Sequence, residues 1–188
     1  MIPGSSGICA MPSKLAAVVF DPETPVDDMM AEALADPALR GRRIVGYLQG
    51  YEPGTGCDCT DIVLRALHDG SRRKITQDLG TGSQGCRLDS VALTEVAGEV
   101  DAVLAVRPDL LVLNRFGKVE AEGGGFRATL EQALLSDVPV LIAVGRKHLG
   151  FWQDYCGDLA ETLPCDVPAI RGFIREVCGI DAAVALRA

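Results

Sequence analysis

Short apolar runs recur along the chain and alternate with longer segments that carry a helical period. The runs predict four buried strands, at residues 15–20, 43–50, 109–113 and 138–144. Strands that alternate with helices indicate a mainly parallel sheet covered by helices on both faces. The sequence therefore predicts a three-layer α/β fold, in which residues 14–188 form a single domain behind a flexible tail at residues 1–13.

The segments between these strands place apolar residues three and four positions apart, as helices do. Thr24 followed by Pro25 is typical of a helix start, and Asp89 is the expected N-cap of the next helix. Apolar positions predict later helices at residues 126–134, 150–163 and 167–178. Asp69-Gly70 lies between two alternating segments, which predicts an inserted β-hairpin.

Composition and charge narrow the classes of function. The chain has 48% hydrophobic and 23% charged residues, as ordinary globular domains do. Its net charge of −8 argues against nucleic-acid binding, so any anion site must be a local basic patch. No apolar run approaches the roughly 20 residues of a membrane span, which predicts no membrane insertion. An odd number of cysteines, seven, without a secretory signal favours reduced thiols and a cytoplasmic location.

A polar cluster follows the third predicted strand, in the sequence Leu111-Val-Leu-Asn-Arg-Phe-Gly-Lys-Val-Glu120. Ligands of α/β proteins gather where parallel strands end, so this cluster is a candidate binding site. Arg115 can hold an oxyanion through two hydrogen bonds, and Lys118 supplies a point charge. The predicted ligand-binding residues are Asn114, Arg115, Lys118, Glu120 and Arg127. The competing interpretation is an Arg–Glu pair that fixes this loop to its neighbours.

A glycine-rich segment at residues 80–87 is the second candidate for anion binding. Glycines allow successive backbone N–H groups to point at one anion, and neighbouring polar side chains add donors and charge. The predicted ligand-binding residues here are Gly82, Ser83, Gln84, Gly85 and Arg87. The alternative is a flexible loop with no ligand. No metal site is predicted, because the Cys57 and Cys59 pair lacks partners at zinc spacing.

From about Arg43 to Val144 the order of elements resembles the small nucleoside-triphosphatases of the P-loop class. In those proteins a Gly-Phe or Gly-Tyr strand leads into a hairpin, and a later strand ends in Asp-Glu-Ile-Gly-Lys-Met-Glu. The corresponding residues here are Gly46-Tyr47 and the segment 114–120. The resemblance implies a P-loop NTPase-like sheet with an inserted hairpin.

Two longer segments, ITQDLGTGSQGCRLD and LVLNRFGKVEAEGGGFR, more closely resemble a bacterial family of unknown function. Members of that family are typically encoded beside molybdate-transport genes. The resemblance therefore implies molybdate or tungstate as the ligand. It also implies a role in molybdenum storage, delivery or sensing.

The chain departs from the P-loop class at the residues that handle nucleotides. A phosphate loop needs glycines and a lysine after the first strand, where this chain has four acids: Asp21, Glu23, Asp27 and Asp28. Asn114 and Arg115 stand where a Mg²⁺-binding acid is expected, and an arginine repels Mg²⁺. We therefore expect a non-hydrolytic protein that binds a bare inorganic oxyanion without metal.

Two other functions stay open at this point. The first is a nucleotide-dependent phosphohydrolase with relocated catalytic groups, in which Glu120 or Asp78 is the base or a metal ligand. The second is a non-catalytic interaction module that docks on a transporter or a cofactor-assembly partner. A homo-oligomer and a complex with a molybdenum-pathway protein are both compatible with the sequence.

Overall fold

The computed structural model describes residues 13–54, 60–77 and 88–180, which form a seven-stranded sheet. The predicted tail, apart from Ser13, lies outside these residues. The strands are β1 (Leu15–Phe20), β2 (Ile44–Pro53), β3 (Thr60–Ala66), β4 (Arg72–Lys74), β5 (Leu110–Phe116), β6 (Val140–Gly145) and β7 (Ala160–Leu163). Their order across the sheet is β4-β3-β2-β5-β6-β1-β7.

Five neighbouring strands of this sheet, from β2 to β7, run parallel. β3 pairs antiparallel with β2, and β4 pairs antiparallel with β3, so the predicted hairpin is present. The four predicted strands correspond to β1, β2, β5 and β6. Because parallel strands end at one edge, residues that follow β1, β5 and β6 come together in space.

Helices cover both faces of the sheet, as predicted. They are α1 (Val26–Leu34), α2 (Ser90–Leu104), α3 (Lys118–Ala121), α4 (Arg127–Leu135), α5 (Leu149–Cys156) and α6 (Val167–Val177). One core packs α2, α4 and α5 on the sheet through residues such as Val96, Leu130 and Trp152. The other packs α1 and α6 through residues such as Met30 and Ile170. The three-layer α/β prediction is therefore confirmed.

Two local predictions are wrong and one is confirmed. Helix α1 begins at Val26, with Pro25 rather than Thr24 at the N-cap position. The predicted helix at residues 150–163 ends at Cys156, and its last part is strand β7, which pairs with β1. Asp89 caps α2 as predicted, because its carboxylate accepts hydrogen bonds from the amides of Val91 and Ala92.

Among the described residues, none of the helices combines the length and the apolar character needed to cross a bilayer.

Candidate functional site

The strand that carries the polar cluster is irregular where it ends. Leu113 of β5 pairs with Ile142 of β6, and Phe116 pairs with Val144, so two residues of β5 face one residue of β6. Such a bulge redirects side chains and is common beside functional sites. Arg115 lies in the bulge with a φ of 54°, which few residues other than glycine adopt. The fold therefore holds Arg115 in an unfavourable backbone conformation at the carboxyl edge of the sheet.

The side chain of Arg115 connects β5 to the first turn of α1. Its Nη2 donates to Oδ2 of Asp27 at 2.5 Å, and its guanidinium lies 4.9 Å from the centre of the Phe20 ring. Asp27 also accepts a hydrogen bond from the amide of Gln49 in β2 at 3.1 Å. The Nε atom of Arg115 is buried and has no hydrogen-bond partner among the described residues. The hydrogen bond to Asp27 therefore uses only some of the N–H donors of the guanidinium group.

A second Arg–Asp pair joins the ends of β1 and β6. Arg146 donates from Nε to Oδ1 of Asp21 at 2.6 Å and from Nη2 to Oδ2 at 3.1 Å. This two-point hydrogen bond lowers the pKa of Asp21 from its usual value. Two of the four acids that replace a phosphate loop are thus paired with arginines from neighbouring strands.

The two arginines, Arg115 and Arg146, line a pocket of about 260 Å³ at the carboxyl edge of β1, β5 and β6. Its cationic lining consists of Arg115, Arg146 and Lys147, and His148 completes the wall. Lys147 forms no ion pair within the described part of the chain. Burial, together with the charge of Lys147, lowers the pKa of His148, which favours the neutral imidazole. The pocket is therefore a local basic patch on an acidic protein.

The structure separates the predicted members of the polar cluster. Arg115 lines the pocket, whereas the side chain of Lys118 is 78% exposed and pairs with Glu122 at 3.7 Å. Arg127 was predicted to share the crevice but does not line the pocket. It lies over the Tyr155 ring at 4.5 Å and pairs with Glu131 at 3.3 Å. Only Arg115 among these three residues belongs to the pocket.

Glu120 is a buried residue that does not line the pocket. It is 5% exposed, and its two carboxylate oxygens accept from the amides of Gly117 at 3.0 Å and Phe126 at 3.2 Å. Burial raises the pKa of Glu120, although these hydrogen bonds oppose the shift. The backbone of Gly125 lies against this carboxylate, because a Cβ at position 125 would be 2.0 Å from Oε1 of Glu120. The carboxylate therefore closes the loop between α3 and α4.

Several predicted residues lie outside what the structure describes. They are Gly82, Ser83, Gln84, Gly85 and Arg87 of the glycine-rich segment, and Asp78 of the alternative enzyme. Asn114 belongs to β5, but its side chain is likewise outside the description. Their roles stay predictions.

Arg146 was missed in the sequence as a candidate. The signal was the basic run Arg146-Lys147-His148 directly after the predicted strand at 138–144. A strand end followed by consecutive cations is typical of an anion site in a parallel sheet. The same reasoning that selected Arg115 applies to Arg146.

A known protein family matches most of the chain. The model of a family described as "Protein of unknown function (DUF2478)" matches residues 15–173, most of the chain. The chain belongs to the DUF2478 family. The predicted resemblance to a family of unknown function is thereby confirmed, whereas the neighbourhood of molybdate-transport genes stays a prediction.

This DUF2478 protein is 33% identical over 168 residues to the Molybdenum import ATP-binding protein ModC 2 of Bradyrhizobium diazoefficiens. The match covers 88% of this chain but 18% of that protein. The chain therefore spans less than a fifth of the length of this relative.

Two solved structures resemble the DUF2478 chain in fold. THEP1 from Aquifex aeolicus has a TM-score of 0.56 and 11% identity, covering 91% of this chain and 97% of that chain. A human cancer-related nucleoside triphosphatase has a TM-score of 0.53 and 12% identity, covering 92% of this chain and 96% of that chain. The DUF2478 chain thus has the fold of these proteins, a mostly parallel mixed sheet with helices, and the predicted resemblance in fold to small P-loop nucleoside-triphosphatases is confirmed.

Proposed function

We propose that this protein binds a small oxyanion without a metal ion and without hydrolysing nucleotides. Molybdate and tungstate are the first candidates. The ligand lies in the pocket at the carboxyl edge of β1, β5 and β6, between Arg115, Arg146 and Lys147. The glycine-rich segment with Arg87 remains part of this proposal as a second source of donors.

The observation that carries the proposal is the convergence of three cationic side chains from two neighbouring strand ends. A guanidinium has five N–H donors in a planar fork, so it can hold an aspartate on one edge and an oxyanion on another. Arg115 retains a buried Nε without a partner among the described residues. Arg146 engages Asp21 through Nε and Nη2, and its Nη1 forms no hydrogen bond in the described ranges.

Charge and size favour a small anion over a magnesium-bound nucleotide. Asp21 and Asp27 balance the two arginines, which leaves the charge of Lys147 as the local surplus. Neither carboxylate lines the pocket, but each is paired with an arginine that does, so the repulsion they exert rises with the charge of the ligand and is larger for a triphosphate than for a dianion. The pocket volume of about 260 Å³ is also below the roughly 300–1,000 Å³ of sites that enclose whole organic ligands.

The choice of anion is supported by the relative from Bradyrhizobium diazoefficiens, which is named a molybdenum import protein. A tetrahedral dianion accepts many hydrogen bonds, which the guanidinium groups and the ammonium group of Lys147 can donate. The proposed role is molybdenum storage, delivery or sensing in the cytoplasm, with a molybdenum-pathway protein or a second copy of the chain as partner.

Replacing Lys147 by alanine is expected to weaken molybdate binding roughly tenfold or more. A charge-assisted hydrogen bond contributes about 1.5–3 kcal/mol. The substitution breaks no ion pair with the described residues, so the loss of affinity reports on the anion alone. Calorimetric titration with molybdate, tungstate, sulfate and phosphate measures the effect. Lys14→Ala is the matched control, because Lys14 pairs with Asp137 at the opposite edge of the sheet.

Equal molybdate affinity in Lys147→Ala and the wild-type protein would contradict this placement of the anion. An equal loss in Lys147→Ala and Lys14→Ala would instead indicate a non-specific effect of net charge. Both variants change exposed or partly exposed residues, so thermal unfolding is expected to confirm that they fold.

A nucleotide-dependent phosphohydrolase is the second candidate, because the fold is that of P-loop NTPases and the curated relative is named an ATP-binding protein. Glu120 is a weak choice as its base, since both of its oxygens already accept backbone hydrogen bonds. Phosphate release from ATP with Mg²⁺ that is lost in Glu120→Gln would favour this candidate.

An interaction module is the third candidate. Its support is that the matching segment of ModC 2 makes up only 18% of that longer protein. Absence of binding to every tested anion, together with co-purification of a defined partner, would favour it.

A further inference from the structure

A second depression shares two lining residues, Lys147 and His148, with the anion pocket. These two residues also line a groove of about 380 Å³, together with Lys118, Ala121, Glu122 and Phe151. Its other lining residues come from α3, with the C-cap of that helix, and from α5. One ligand that reaches across the shared wall would contact both the pocket and the groove.

Phe151 is the distinctive side chain of this groove. Its neighbours on α5 contribute to the core: Trp152 is 1% exposed, and both Trp152 and Tyr155 contact the Phe116 ring. Phe151 instead leaves 59% of its surface exposed. A large exposed aromatic beside a cationic pocket offers a face for stacking that the fold itself does not use.

Within the groove, the charge of Lys118 is offset by Glu122, and the remaining cation, Lys147, is shared with the pocket. Lys118 and Glu122 face each other at 3.7 Å as an i,i+4 pair. His148 favours its neutral form and presents a flat ring at the wall. The groove therefore suits an uncharged, flat apolar group, while the pocket suits an anionic one.

We propose that the site also accepts an oxyanion attached to a flat aromatic group, such as an aryl phosphate. Its anionic head lies between Arg115, Arg146 and Lys147, and its ring stacks on Phe151. The anionic half of this inference rests on the proposed function.

Calorimetric titration with molybdate, inorganic phosphate and phenyl phosphate tests the inference. Phenyl phosphate is expected to bind at least roughly tenfold more tightly than phosphate, because its ring leaves water on binding. Phe151→Ala is expected to remove this difference and to leave the phosphate and molybdate affinities unchanged. Leu159→Ala is the matched control, since Leu159 is a still more exposed apolar residue directly before β7 and is expected to change nothing.

Equal binding of phosphate and phenyl phosphate to the wild-type protein would overturn the inference. So would molybdate binding without measurable binding of phenyl phosphate, although the oxyanion proposal would survive both results. An equal loss of all three ligands in a folded Phe151→Ala variant would overturn it as well, because Phe151 would then act on the pocket itself. Failure of all three ligands to bind the wild-type protein would overturn the inference and the proposed function together.

Discussion

Replacing Gly46 by alanine is expected to lower the free energy of unfolding by about 3–5 kcal/mol. Gly46 has a φ of 111°, and a Cβ there would lie 1.9 Å from the backbone oxygen of Val112 in the paired strand β5. The strained backbone costs about 1–3 kcal/mol, and the overlap adds a similar amount, because neither strand can move without breaking the sheet. Urea denaturation of the variant and the wild-type protein measures the loss.

Alanine substitutions at two other glycines measure the backbone strain and the steric overlap separately. Gly41 also has a positive φ, of 88°, but a Cβ there meets nothing within 4 Å, so Gly41→Ala is expected to cost only about 1 kcal/mol. Gly50 lies in the same strand as Gly46, and its Cβ would be 3.8 Å from the nearest atom. Gly50→Ala is therefore expected to be close to neutral. Similar losses at all three positions would contradict the close β2–β5 contact.

Replacing Asp21 by asparagine is expected to strengthen molybdate binding on the order of tenfold. Asp21 occupies the Nε–Nη2 edge of Arg146, the geometry best suited to an oxyanion. Asparagine removes the negative charge, which frees that edge and ends the repulsion of a bound dianion. Calorimetric titration at low ionic strength measures the change, since salt screens exposed charges.

The control for this substitution is Asp137→Asn at the opposite edge of the sheet. Asp137 pairs with Lys14 at 2.5 Å and is also exposed, so both changes remove one acid from one surface ion pair. The control is expected to leave affinity unchanged. Weaker binding in Asp21→Asn would mean that Asp21 positions Arg146 for the anion, and the competition described above would be wrong.

The sequence predicts most of the fold because its signals are local. The strands β1, β5 and β6 are almost wholly buried, and their continuous apolar runs reflect this. The sequence did not predict β7, because it is a four-residue edge strand in which Glu161 and Thr162 are exposed. Its residues carry neither an apolar run nor an alternation long enough to recognise.

The site was harder to predict because its contacts join distant parts of the chain. Arg115 lies at the carboxyl edge of the sheet, as its position at a strand end predicts, but its pairing with Asp27 spans 88 residues. The left-handed φ of Arg115 depends on a bulge that only the pairing with β6 reveals. Glu120 was expected beside Arg115, yet the loop of glycines at 123–125 turns its carboxylate toward the Phe126 amide.

The central claim is that this P-loop-like fold holds a bare oxyanion and not a magnesium-bound nucleotide. Calorimetric titration of the wild-type protein with molybdate in EDTA, and with ATP in Mg²⁺, tests it most directly. The account predicts saturable molybdate binding without metal, and neither heat of binding nor phosphate release with ATP. Saturable Mg²⁺-dependent ATP binding, with no response to molybdate or tungstate, would contradict it.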